Sequence, residues 1–131
     1  MLANAMVAPT LPAVDLKRAR RFYEATLGLK VVKEDPSPGI MVQCGNGTMV
    51  YIYERAATKA DHTVATFAVD DLDAEMLALQ RKGIKFEEYN LPGLKTDHGV
   101  VTIGGMKGAW FKDTEGNILS LTEMPKQAME P

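Results

Sequence analysis

The sequence predicts an α+β fold built from two copies of one strand-helix-strand-strand-strand module. Three pairs of segments carry that prediction. VAPTLPAVDL (7–16) and TVATFAVDDL (63–72) match position for position, each a strand running into a helix start. LGLKVV (27–32) and KGIKFEE (82–88) each pass a Gly straight into an apolar stretch. GTMVYIYE (47–54) and GNILSLTE (116–123) each begin with Gly, alternate into aliphatic residues and end on Glu. Module 1 spans about 6–56, module 2 about 61–124 and a tail 125–131, together one domain over residues 1–131.

Each element has a local cause. Asp15 and Asp71 are equivalent N-caps, short acceptors for backbone N–H groups that a helix leaves unpaired. Behind the first, Leu16, Ala19, Phe22, Tyr23 and Leu27 recur at the spacing of one buried helix face. Leu72, Met76 and Leu79 repeat the pattern behind the second. Gly28 and Gly83 stand where a left-handed residue ends a helix. In module 1 the strands LKVVKE, IMVQC and TMVYIYE follow, separated by the turn-rich DPSPG and GNG. In module 2 a strand IKFEE is expected. EYNLPGLKTDHG then reads as a loop, because Pro92, Gly93 and Gly99 disfavour both helix and strand, and the loop region covers 85–100. VVTIGGMKGAWF and GNILSLTE complete the strands. A loop inserted in only one of two copies is more often functional than architectural.

Composition narrows the partners. A chain of 131 residues, 46% hydrophobic, is long enough to bury a substantial core. A formal net charge of −2 with 15 dispersed basic residues excludes the basic surface that nucleic acid or an anionic membrane requires. No apolar run approaches the roughly 20 residues of a membrane span, and MLANAMVAPTLP lacks the features of a secretory signal, so a cytoplasmic location is expected. Cys44 is the single cysteine, which rules out an internal disulfide and a zinc site made of cysteines. It reads as a small hydrophobe.

DLKRARRFYEATLGL, FAVDDLDAEMLALQRKGIKFEE and WFKDTEGNILSL together resemble the vicinal oxygen chelate superfamily, the group of glyoxalase I, bleomycin-resistance proteins, extradiol dioxygenases and fosfomycin-resistance enzymes. The resemblance covers nearly the whole chain. It departs at Thr114, where the family usually has Pro. It implies paired β-α-β-β-β modules whose sheets curl into a cup with helices outside. By strand alternation Val50, Ile52, Leu119 and Leu121 pack beneath the helices. Met49, Tyr51, Tyr53, Ile118, Ser120 and Thr122 take the opposite, cup-lining face. The entry strands add Ala8, Thr10 and Pro12, then His62, Val64, Thr66 and Ala68.

In metal-using members of the family, ligands from each half occupy four slots, which by counting fall at Ala8, Tyr51, Val64 and Ser120. None is His, Glu or Gln, and a divalent cation needs converging lone pairs. No metal and no cofactor are therefore expected. An atypical site from His62, His98, Glu54 and Glu123 is the alternative; otherwise both Glu are solvated strand ends, His62 is a rim residue and His98 sits in the loop. Tyr51 either lines a pocket or plugs a vestigial site. The candidate ligand-binding residues are Tyr51, Tyr53, His62, Thr66, Trp110, Ser120 and Thr122, with Tyr89 and Lys112 as further candidates. The expected function is binding of a small, partly aromatic or amphipathic molecule without the family metal. The alternatives are an atypical or metal-independent lyase, isomerase or dioxygenase-type enzyme, with Tyr51, His62 or Lys112 as acid or base, and a subunit with no ligand of its own. Exposed strand edges must be covered, and relatives of the family commonly cover theirs by pairing, so a homodimer is expected.

Overall fold

Both predicted caps form. The Asp15 carboxylate accepts from Arg18 N–H and that of Asp71 from Ala74 N–H, each at 3.1 Å. The structure, a computed structural model, describes residues 1–125; beyond Pro125 the predicted tail lies outside them. The chain divides after Lys59 into two compact units.

In the first unit β1 (Thr10–Ala13) leads into α1 (Leu16–Arg21), which continues as one wider, π-helical turn over Phe22–Thr26. There Leu27 N–H reaches back five residues to the Phe22 carbonyl at 3.0 Å. Gly28 follows at φ +72°, the left-handed value that favours glycine at a helix end. Then come β2 (Lys30–Asp35), β3 (Gly39–Gln43) and β4 (Met49–Glu54). The sheet order is β1-β4-β3-β2, with β1 parallel to β4 and the other pairs antiparallel. The last strand thus lies beside the first, and the end of β4 comes level with the start of α1.

The core of this unit is the helix face Ala19, Phe22 and Tyr23 with the strand residues Leu11, Ala13, Ile40, Val42, Val50 and Ile52, all buried. Leu16 and Leu27, expected on the same helix face, are half-buried. Burial in β4 alternates, with Val50 and Ile52 in the core and Met49, Tyr51 and Tyr53 half-buried on the other face.

The second unit repeats the plan with β5 (Thr63–Ala68) and α2 (Leu72–Arg81). Two expectations fail after Gly83. IKFEE forms no strand: outside the ladders, its tie to the sheet is one backbone bond, Glu87 N–H to Trp110 O at 2.8 Å, while Phe86 is buried against Phe111. EYNLPGLKTDHG is not a structureless loop either. It folds as a small hairpin of β6 (Asn90–Leu91) and β7 (Leu94–Lys95). Pro92 and Gly93 (φ +77°) supply the two central residues of its turn. A fixed negative φ followed by a positive one is what a type II turn needs, so the pair that argued against strands connects two of them.

The remaining strands are β8 (Val101–Ile103), β9 (Met106–Lys112) and β10 (Ile118–Glu123), in the order β5-β10-β9-β8. This is the first unit's order again, with β8 in the place of β2. The helix–strand core is Leu72, Met76, Phe86, Val101, Ala109, Phe111, Leu119 and Leu121. The α+β class and the repeated modules are as the sequence predicts, and the fold consists of two open four-stranded mixed sheets.

Candidate functional site

The first unit's sheet presents Tyr51 and Tyr53 side by side on its non-core face, rings 6.5 Å apart and 9° from parallel. In register, Thr10 and Met41 flank Tyr51, and Pro12 and Gly39 flank Tyr53. The Tyr51 ring leans over Gly39, where a Cβ would stand 2.5 Å from its Cζ. That absence of a side chain lets the phenol reach the turn after β2. Its hydroxyl donates to Asp35 Oδ2 at 2.9 Å and lies 3.2 Å from Ser37 Oγ. The Ser37 hydroxyl in turn donates to Asp35 Oδ1. These two side-chain donors hold the Asp35 carboxyl below its ordinary pKa, with Lys33 a lesser cause. Thr10, Ser37, Pro38, Tyr51, Tyr53 and Glu54 line an open cleft of about 360 Å³.

In the second unit a register shift between Ile118 and Leu119 changes the expected alternation along β5. Thr66 pairs with Ser120 and Ala68 with Thr122, whereas Thr63 pairs with Ile118. The shift brings the Thr63 hydroxyl to the Trp110 indole, which donates to it at 3.1 Å. Thr66 and Ser120 hydroxyls meet at 2.7 Å. Trp110 lies opposite Ser120 across the ladder and packs edge-on against Tyr89 at 5.5 Å. Desolvation, then the nearby Glu87 charge, pushes the Tyr89 phenol pKa up. Lys112 pairs with Glu87 at 3.5 Å.

Within the units, then, the structure groups Tyr51 with Tyr53, and Thr66, Ser120 and Trp110 with one another, with Thr122 two pairs further along. His62 precedes β5, exposed, its imidazole 3.9 Å from Asp61. His98 has φ +52° and sits 2.9 Å from Asp97, also exposed. Among the described residues no group of three or more His, Cys, Asp or Glu is placed to hold a metal ion.

Glu54 is exposed, as expected of a solvated strand end, and Glu123 is half-buried, but both hold partners. Each reaches its own unit's helix: Glu54 Oε2 accepts from Leu16 N–H at 3.1 Å and Glu123 Oε1 from Leu72 N–H at 2.9 Å. Each helix start therefore has two acidic acceptors, one local and one from the end of the parallel last strand, which complement its positive end. The repeated terminal Glu was the signal for this. The Asp35–Ser37–Tyr51 cluster and the buried Asp113 were not foreseen. Asp113 holds the last turn by accepting from the backbone N–H groups of Glu115 and Asn117 at 2.8 and 2.9 Å.

Residues 5–121 match the family model described as Glyoxalase/Bleomycin resistance protein/Dioxygenase superfamily. The chain belongs to this superfamily. Several solved structures share the glyoxalase fold. A lactoylglutathione lyase from Agrobacterium tumefaciens is 23% identical, with 92% of this chain and 93% of that chain covered and a TM-score of 0.66. TnmS3, an antibiotic binding protein from Streptomyces sp. CB03234, is 20% identical, with 93% and 98% covered and a TM-score of 0.67. A mutant of FosX, a fosfomycin resistance protein from Listeria monocytogenes, complexed with Mn(II) and 1S,2S-dihydroxypropylphosphonic acid, is 13% identical, with 95% and 93% covered and a TM-score of 0.68. No curated protein matches the sequence. No helix among the described residues is long and apolar enough to cross a membrane.

The four positions that the resemblance assigns as ligand slots can each be taken by itself. Ala8 and Val64 carry hydrocarbon only, the Tyr51 hydroxyl donates to a carboxylate, and the Ser120 hydroxyl is paired with Thr66.

Proposed function

We propose that this superfamily member binds a small, partly aromatic or amphipathic molecule and sequesters it, without the metal of the metal-using members. One observation carries the reading. Tyr51, at a position where those members place a ligand, stands in a parallel aromatic pair with Tyr53 on the wall of an open cleft. Two ring faces and a few fixed polar groups are the usual composition of a small-molecule site. Slots holding two hydrocarbon side chains and two engaged hydroxyls do not fit a divalent cation. The antibiotic-binding TnmS3, of the same fold, supports sequestration. We further propose that the protein acts in the cytoplasm as a homodimer.

The hydrogen bond from Tyr51 to Asp35 favours a second reading, an atypical or metal-independent lyase, isomerase or dioxygenase-type enzyme in which Tyr51 exchanges a proton with substrate. Thermal-shift screening against planar aromatic and amphipathic compounds, followed by calorimetry on hits, tests the first. Tyr51→Ala should weaken binding by about 1–3 kcal/mol. Recovery of the hit unchanged after prolonged incubation separates binder from enzyme. Elemental analysis should show no stoichiometric Zn, Ni, Fe or Mn. One equivalent per chain, lost on mutation of His62, would overturn the metal-free reading.

A further inference from the structure

The polar groups around the Tyr51–Tyr53 cleft share a direction. A hydroxyl whose proton is committed presents only lone pairs to anything else. Tyr51 and Ser37 both give their protons to Asp35, and Thr10 Oγ1 gives its proton to the Ala8 carbonyl at 3.3 Å. Glu54, a carboxylate with one oxygen on Leu16 N–H, can only accept. Pro38 supplies no side-chain polar group. Among the described residues, Tyr53 alone of the lining side chains has an uncommitted hydroxyl proton, and no Lys or Arg lines the cleft. Two aromatic faces, both electron-rich, complete the wall.

We infer that the cleft selects an organic cation: a protonated amine or amidinium carried on an aromatic or apolar group, its N–H donors directed at Tyr51, Ser37 and Glu54 and its charge set over the tyrosine rings. This rests on the binding function proposed above and names its ligand class. A carboxylate or phosphate would meet lone pairs and a negative charge. A neutral ring would use the aromatic faces and leave the acceptors without donors, which costs affinity when they are desolvated. At about 360 Å³ the cleft is at the small end for ligand sites, suited to one or two fused rings. At neutral pH Asp35 is ionised, and its two oxygens hold the Tyr51 and Ser37 hydroxyl protons.

The test is calorimetry of the full chain at neutral pH with naphthylmethylammonium, naphthylmethanol and naphthylacetate, which share a ring system and differ in charge. The ammonium should bind about ten-fold tighter than the alcohol, and the acetate no tighter than the alcohol. Glu54→Gln retains a carbonyl oxygen for Leu16 N–H and removes the charge. It should leave the melting curve near that of the wild type and reduce the ammonium preference to about three-fold or less. Equal binding of ammonium and alcohol, or tightest binding of the acetate, would overturn the cation inference. If that binding still falls on Tyr51→Ala, the binding function survives. A preference undiminished in both Glu54→Gln and Asp35→Asn would also overturn the inference, because the selectivity would then reside elsewhere. Failure of all three compounds to bind, at concentrations where a broader aromatic panel gives hits, would overturn it as well. Failure of that panel too would take the binding function with it.

Discussion

Gly39→Ala adds one methyl group at the start of β3 and should act almost entirely through Tyr51. A Cβ built on Gly39 lies 2.5 Å from Tyr51 Cζ and 3.0 Å from Cε1, and closer still to the hydroxyl oxygen. Gly39 has no positive φ, so the backbone itself accepts alanine. The ring must therefore swing off the strand. In doing so it loses its bond to Asp35, about 1 kcal/mol for a partly exposed site. It also loses its stacking on Tyr53, about 0.5–1.5 kcal/mol. The strand regains about 0.5 kcal/mol because alanine gives up less backbone freedom than glycine. The net expectation is a loss of about 1–2 kcal/mol, with ligand binding weakened as in Tyr51→Ala. When Tyr51 is already alanine, Gly39→Ala should be neutral or stabilising by about 0.5 kcal/mol, which gives a coupling of about 2 kcal/mol between the two positions. Urea denaturation of the four proteins in this cycle, with unchanged slopes, measures it. An equal cost of Gly39→Ala in both backgrounds would refute the placement of the Tyr51 ring over Gly39.

Other perturbations read different parts of the molecule. Glu123→Ala removes a charged acceptor from the start of α2 and should cost about 1–2 kcal/mol in urea denaturation, more than Glu54→Ala, because Glu123 is half-buried and Glu54 exposed. Phe22→Ala should cost about 3–5 kcal/mol, since the ring is buried against Tyr23, whereas Tyr51→Ala should cost markedly less; equal losses would make Tyr51 a core plug. Asp35 has a folded pKa below its ordinary 3.8. Its contribution to stability is therefore full above that ordinary value and lost as pH falls through the folded one, so acidification should destabilise wild type more steeply than Asp35→Asn. Light scattering at micromolar concentration should give the mass of two chains, since among the described residues no strand pairs with the outer edges of β1, β2, β5 and β8; a monomer would refute that expectation.

The sequence by itself determined what depends on local chemistry and on repetition. Asp15 and Asp71 are caps because a short carboxylate three residues ahead of a helical N–H satisfies it wherever the helix packs. Val50 against Tyr51, and Leu119 against Ser120, sort to opposite faces of their strands because alternation is a property of the chain. The superfamily was legible for the same reason, its signature being two copies of a local pattern. Tertiary structure decided what depends on who stands next to whom. The Glu54 and Glu123 carboxylates reach helices 38 and 51 residues away in sequence, and only the parallel pairing of first and last strands puts them there. The shift beside Ile118 moves Thr63 to Trp110, because one extra residue in a ladder reverses the face of what precedes it. Pro92 and Gly93 read as breakers until the flanking residues paired around them. The direction of the Tyr51 hydroxyl was likewise invisible in the sequence: it is set by an empty Cβ position at Gly39 and a carboxylate at Asp35, and the proton goes to whichever acceptor the folded chain brings within reach.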